Sequence, residues 1–132
     1  MFSRLATFLF VYSSLLPPLF LIGMVITWNA ASAHLGRPPI PSIDDPKDIV
    51  DGATEWAYIL TILMMFSGLW LLPVYPFLFV YRLYQTIKNY HHWGWFNRLL
   101  ILTPVVGFIL NKVVNNAYFS VDSPEIDIWF MD

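Results

Sequence analysis

Long apolar runs alternate with short polar stretches along this chain, and the runs have the length of helices rather than strands. No charged residue lies between Arg4 and Arg37, and 5–31 reads as one apolar helix. At about 1.5 Å per residue it is long enough to cross about 30 Å of hydrocarbon. A second uncharged run, 56–81, lies between Glu55 and Arg82 and also suffices. The third, 99–119, is interrupted by Lys112. It spans if Lys112 reaches toward the headgroups, the alternative being a re-entrant or interfacial helix. The expected fold is all-α and integral to a membrane, one membrane domain over 1–132 with three transmembrane helices. Loop 32–55, segment 82–98 and tail 120–132 complete it.

Each run carries helix breakers: Pro17-Pro18 in the first, Gly68, Pro73 and Pro76 in the second, Pro104 and Gly107 in the third. A proline removes an amide donor and crowds the preceding turn, so kinks are expected there. Membrane helices tolerate such residues as fixed bends, and transporters use them as hinges or unwound binding segments. Fixed bends are the expectation here, because no ionisable side chain accompanies the breaks. Beyond the second run, Val80, Leu83, Tyr84, Ile87 and His91 share one arc of a helix, with Arg82, Gln85 and Asn89 opposite. Such an amphipathic stretch suits a membrane surface or a partner helix.

Composition supports lipid as the solvent. Of 132 residues, 58% are hydrophobic and only 12% charged, against about 45–50% and about 25% in soluble domains. The charges that remain are segregated. Arg4, Arg82, Lys88 and Arg98 flank the runs on one side, which the positive-inside rule makes cytoplasmic. All carboxylates fall on the other: Asp44, Asp45, Asp48, Asp51 and Glu55 in the loop, and Asp122, Glu125, Asp127 and Asp132 in the tail. This segregation requires three crossings, with the N-terminus in and the C-terminus out. Trp28, Trp56, Trp93 and Trp95 then fall near the interfaces that indole favours. Ala31-Ser32-Ala33 resembles a signal-peptidase site, but the apolar run is longer than the roughly 7–15 residues of a signal core. An uncleaved first span is expected.

Candidate chemistry is sparse. With no cysteine there are no disulfides, thiolate metal sites or cysteine nucleophiles, and a net charge of −2 gives no case for nucleic acid. Phosphate-loop, dinucleotide, nucleophile-elbow and HExxH patterns do not occur, so a non-catalytic protein is expected. His91 and His92 precede Trp93 and are candidate axial ligands for haem or chlorophyll. Adjacent histidines point to different helix faces, however, and His34 lies across the membrane, so no bound cofactor is the favoured reading. Asn111, Lys112, Asn115 and Asn116 form two i,i+4 pairs, a polar stripe on the third helix. Its only charge is expected to snorkel or to pair with an outer carboxylate, the asparagines bonding a neighbouring helix.

The outer loop reads as stiff through Arg37-Pro38-Pro39-Ile40-Pro41 and then capped, Asp45-Pro46 starting a short helix that ends at Gly52. Asp44 and Asp45 there, with Trp129 and Phe130 in the tail, are the expected docking residues. The carboxylates lack calcium-loop spacing. These features fit a small accessory or assembly subunit of a larger membrane complex, surrounded by lipid and by other membrane subunits. A haem- or chlorophyll-binding module at His91 or His92, and an oligomeric channel or transporter around Lys112, are the alternatives. The default location is a prokaryotic plasma membrane.

Overall fold

A computed structural model describes residues 2–41, 43–49, 51–89, 95–119 and 129. Five α-helices account for most of them: α1 (Phe2–Leu35), α2 (Gly52–Leu71), α3 (Tyr75–Lys88), α4 (Trp95–Leu99) and α5 (Thr103–Tyr118), with a 3-10 turn at Leu100–Leu102 between the last two. Among the described residues there is no strand. Three helical stretches are long and apolar enough to cross a membrane, Arg4–Leu35, Gly52–Leu71 and Asn97–Tyr118. The chain is thus an all-helical integral membrane protein.

α1 is the centre, and every other long helix packs on it. Its 34 residues extend about 51 Å, whereas α2 and α3 extend about 30 and about 21 Å. The two shorter helices follow one another along the one long helix. Thr61 meets Gly23 and Leu16 meets Gly68, while Tyr12 bonds Ser67 at 2.8 Å, so α2 runs antiparallel to α1. Below it, Tyr75 stacks on Phe10 and Arg82 reaches Thr7, so α3 continues in the same direction. α5 runs the other way. Gly107 abuts Ser14, and Phe119 joins the cluster around Met24, Val25 and Trp28.

The run 56–81, expected as one span, is two helices separated at Leu72–Val74. Pro73 and Pro76 explain the break, because neither can donate the amide that would carry the helix through. Amide bonds from Leu72 to Gly68, Val74 to Leu71 and Leu78 to Val74 bridge it instead. α1, by contrast, runs through Pro17 and Pro18 as one helix. Nearby, the Ser13 and Ser14 hydroxyls donate to the carbonyls of Leu9 and Phe10.

The loop between α1 and α2 also differs from expectation. Asp45 accepts the Lys47 amide at 3.0 Å, yet only a turn follows, without a helix ending at Gly52. Gly52 instead begins α2, capped by Asp51, whose carboxylate accepts from both the amide and the hydroxyl of Thr54. α1 ends with Gly36 at φ +67°, the left-handed conformation that closes a helix most easily without a Cβ.

Candidate functional site

Two regions carry the polar groups. Through most of the bundle the usual order is inverted: large apolar side chains cover the surface, and hydroxyls with one guanidinium lie inside. Ser14, Thr27, Thr54, Thr61 and Arg82 are buried, while Leu60, Leu63, Phe66, Leu69, Phe108 and Val113 are exposed. Small and hydroxylated residues let helices approach closely where lipid, not water, surrounds them. Thr61 and Thr27 satisfy their hydroxyls on the carbonyls of Ala57 and Gly23, so the buried oxygens cost little.

α3 shows the inversion most clearly. Its apolar arc, expected to lie on a surface or a partner, faces outward along the side of the bundle, with Val80 64% and Ile87 69% exposed. Arg82, expected on the solvated side of that helix, is only 3% exposed. Its guanidinium donates to the Thr7 hydroxyl at 3.0 Å and to the Asn97 carbonyl at 2.7 Å, joining α3 to α1 and α4. Sequence periodicity identifies the two faces correctly, but not which one meets α1. The signal that could have revealed it is the membrane context itself, in which the apolar face is the outer one.

The polar stripe of α5 divides. Asn111 lies half-buried on the same face as Gly107 and lines a cleft, whereas Lys112, Asn115 and Asn116 are exposed. Among the described residues, no carboxylate pairs with Lys112; Asp44 and Asp45 in the loop pair instead with Arg37 at 2.6 Å and Lys47 at 2.5 Å.

The cleft encloses about 510 Å³. α1 forms its floor at Ser13, Ser14 and Leu16, with α2 on one side and α5 on the other. Breakers from all three apolar runs line it, Pro17, Gly68, Pro104 and Gly107. Ser13, Ser14, Leu69 and Leu72 line it, and each stands four residues before a proline (Pro17, Pro18, Pro73 and Pro76), so its carbonyl has no i+4 amide partner. One of the four is covered directly. A Cβ on Gly107 would lie 2.0 Å from the Ser14 carbonyl oxygen, so the glycine's own Cα hydrogen is aimed at that oxygen, a weak C–H···O contact.

At the end of the bundle that holds the α1–α2 loop the chain builds an ordinary apolar core. Met24, Val25, Trp28, Ala31, Ile49 and Trp129 are buried together. Trp28 and Trp129 meet edge to face, 5.2 Å between centroids, and the Trp129 indole N–H donates to the Asp44 carbonyl. With Asp45 held by Lys47, three of the expected docking residues, Asp44, Asp45 and Trp129, are engaged within the chain itself. The Asp44 carboxylate also accepts the Ile40 amide at 2.8 Å. Arg37 beside it, helped by that amide, holds Asp44 below the usual carboxylate range, and Asp44 in turn raises Arg37. Burial pushes Asp45 up, but the ammonium and amide of Lys47 outweigh it and the net shift is downward. His91, His92 and Phe130 lie outside the described residues. Among the described residues no group of three or more histidines and carboxylates could hold a metal ion.

No protein-family model matches the chain, and no curated protein or solved structure matches it either.

Proposed function

We propose that this protein is a non-catalytic accessory or assembly subunit that packs into a larger membrane complex through the outer face of α5. One observation carries the reading. Lys112, Asn115 and Asn116 are exposed on a helix whose other surface residues, Val105, Val106, Phe108, Ile109 and Val113, are suited to lipid. Hydrocarbon offers no partner to an ammonium or a carboxamide, and ionisable groups in membrane helices nearly always face other protein or a polar cavity. A transmembrane helix presenting a carboxylate or free carbonyls would satisfy all three. The topology belonging to this reading has the N-terminus and the basic segment around Arg82 to Arg98 inside, and the acidic loop and tail outside. Fixed bends at Pro17-Pro18 and Pro104 shape the packing surface.

The test is purification in mild detergent with a native mass measurement. The chain is expected in a particle far larger than its own 15.3 kDa, and Lys112→Leu with Asn115→Leu is expected to release it. Recovery of the unaltered chain as a monomer would overturn the proposal.

A further inference from the structure

The cleft between α2 and α5 has the attributes of a ligand site rather than of a packing defect. It lies along the middle part of α1, from Ser13 to Phe20, within the uncharged stretch between Arg4 and Arg37. Its volume falls within the roughly 300–1,000 Å³ of small-molecule sites, which are mostly apolar with a few placed polar groups. The apolar lining includes Leu16, Phe20, Met64, Met65 and Phe108. Thioethers adapt their shape to an occupant.

Several backbone carbonyls in the lining residues lack the helical amide they would otherwise accept from. Non-helical backbone at membrane depth persists only where protein or a polar cavity satisfies it. Here the lining residues Ser13, Leu69 and Leu72 each carry a carbonyl that a proline has deprived of its i+4 donor. Backbone supplies acceptors in excess, so the matching ligand brings a donor. Asn111 adds a carboxamide with no hydrogen-bond partner among the described residues, able to donate and to accept. The Tyr75 hydroxyl stands 3.2 Å from that of Ser14. No lysine, arginine, histidine or carboxylate lines the cleft, which excludes a charged headgroup.

We infer that this cleft binds an uncharged, bilayer-soluble alcohol or phenol, its hydroxyl among Ser13, Leu72, Tyr75 and Asn111 and its apolar body between α2 and α5. The inference is independent of the exposed docking face of α5. Two sources share this chemistry, an isoprenoid alcohol and a reduced quinone.

Membranes containing the full chain would be labelled with a diazirine-bearing hexadecanol and the cross-links mapped by mass spectrometry. Farnesol, decylubiquinol, farnesyl methyl ether and hexadecane serve as competitors. Saturable labelling of Met64, Met65 or Phe108 is expected, displaced by farnesol or by decylubiquinol according to the source. The ether, lacking the donor, should compete about tenfold more weakly, the equivalent of one ordinary hydrogen bond. Asn111→Leu should weaken the effective alcohol by a similar factor. Tyr75→Phe, which keeps the shape, should weaken it too, and covers the case in which Asn111→Leu fails to accumulate. Three results would each overturn the inference: unsaturable label spread equally over Leu63 and Phe66, equal competition by hexadecane or the ether, or a cleft filled by a helix from another protein.

Discussion

The cap around Trp28 and Trp129 and the bundle that adjoins it are built on opposite rules within one short chain. In the cap, Trp28, Ile49 and Trp129 are buried and the charged pairs Arg37–Asp44 and Lys47–Asp45 face outward, as in any domain folded in water. In the bundle Leu63, Phe66, Leu69 and Phe108 face outward, and Ser14, Thr61 and Arg82 lie inside. The cap can therefore draw on the hydrophobic effect, which scales with apolar area removed from water. In lipid there is no such gain for apolar contacts, and close packing with hydrogen bonds holds the helices together. One large indole is decisive in the first setting, and the absence of a single methyl group in the second.

Substitutions can separate the two regimes. Trp129→Ala, which empties a site only 1% exposed, should cost the cap about 3–5 kcal/mol, the usual range for a buried aromatic truncated to alanine. The expected readout is faster proteolysis of loop 36–51 with the helical melting of the bundle unchanged. Gly107→Ala should do the reverse. Its Cβ would meet backbone, which cannot rotate away, so α5 must shift at a cost of about 1–3 kcal/mol. Thermal melting in detergent followed by helical ellipticity should fall while loop proteolysis stays constant. If either variant moved both readouts equally, the two regions would be one cooperative unit.

Smaller effects sharpen the contrast. Arg82→Leu leaves the Asn97 carbonyl without its charged donor, a loss of about 1–3 kcal/mol, visible as earlier melting and as cleavage between α3 and α4. Gly68→Ala meets only the terminal methyl Cδ2 of Leu16, at 2.8 Å, which can turn aside. Its melting shift should be well below that of Gly107→Ala. The smallest effect is acid. Because Asp44 titrates lower in the folded cap than in the unfolded chain, its contribution is present above about pH 4, the ordinary aspartate value, and is lost as pH falls through the lower folded value. Trp129→Phe supplies the reference for a fluorescence titration. The indole signal should be flat from neutrality to about pH 4 and change below it, without change in bundle helicity.

The polar stripe shows how far a sequence argument reaches. Asn111, Lys112, Asn115 and Asn116 are legible as an i,i+4 set, because helical spacing is a local property. The i,i+4 pairing links Asn111 with Asn115, yet only Asn111 faces the cleft beside Gly107. Arg82 was legible as a charge at the end of a span but not as a buried clamp. Its partners, Thr7 and the Asn97 carbonyl, are remote in sequence and carry no pattern of their own. The short helix expected after Asp45 failed for a local reason: Asp51 accepts from Thr54 and begins α2 at Gly52.

What the amino-acid sequence determined by itself is the solvent and the elements: three apolar stretches, their breakers, and a segregated set of charges. These follow from the length of uncharged runs and from proline's missing amide, which act within a few residues. Only the tertiary structure decided that α1 is the shared core, that α3 turns its polar side inward, and that four proline-deprived carbonyl residues from separate helices line one cleft. These are matters of register between helices. Register is set by where glycine, serine and threonine let backbones approach, as at Gly107 on Ser14 and Gly23 on Thr61. Helical periodicity contains no information about that pairing, because every face that can face lipid reads the same until a neighbour is placed against it.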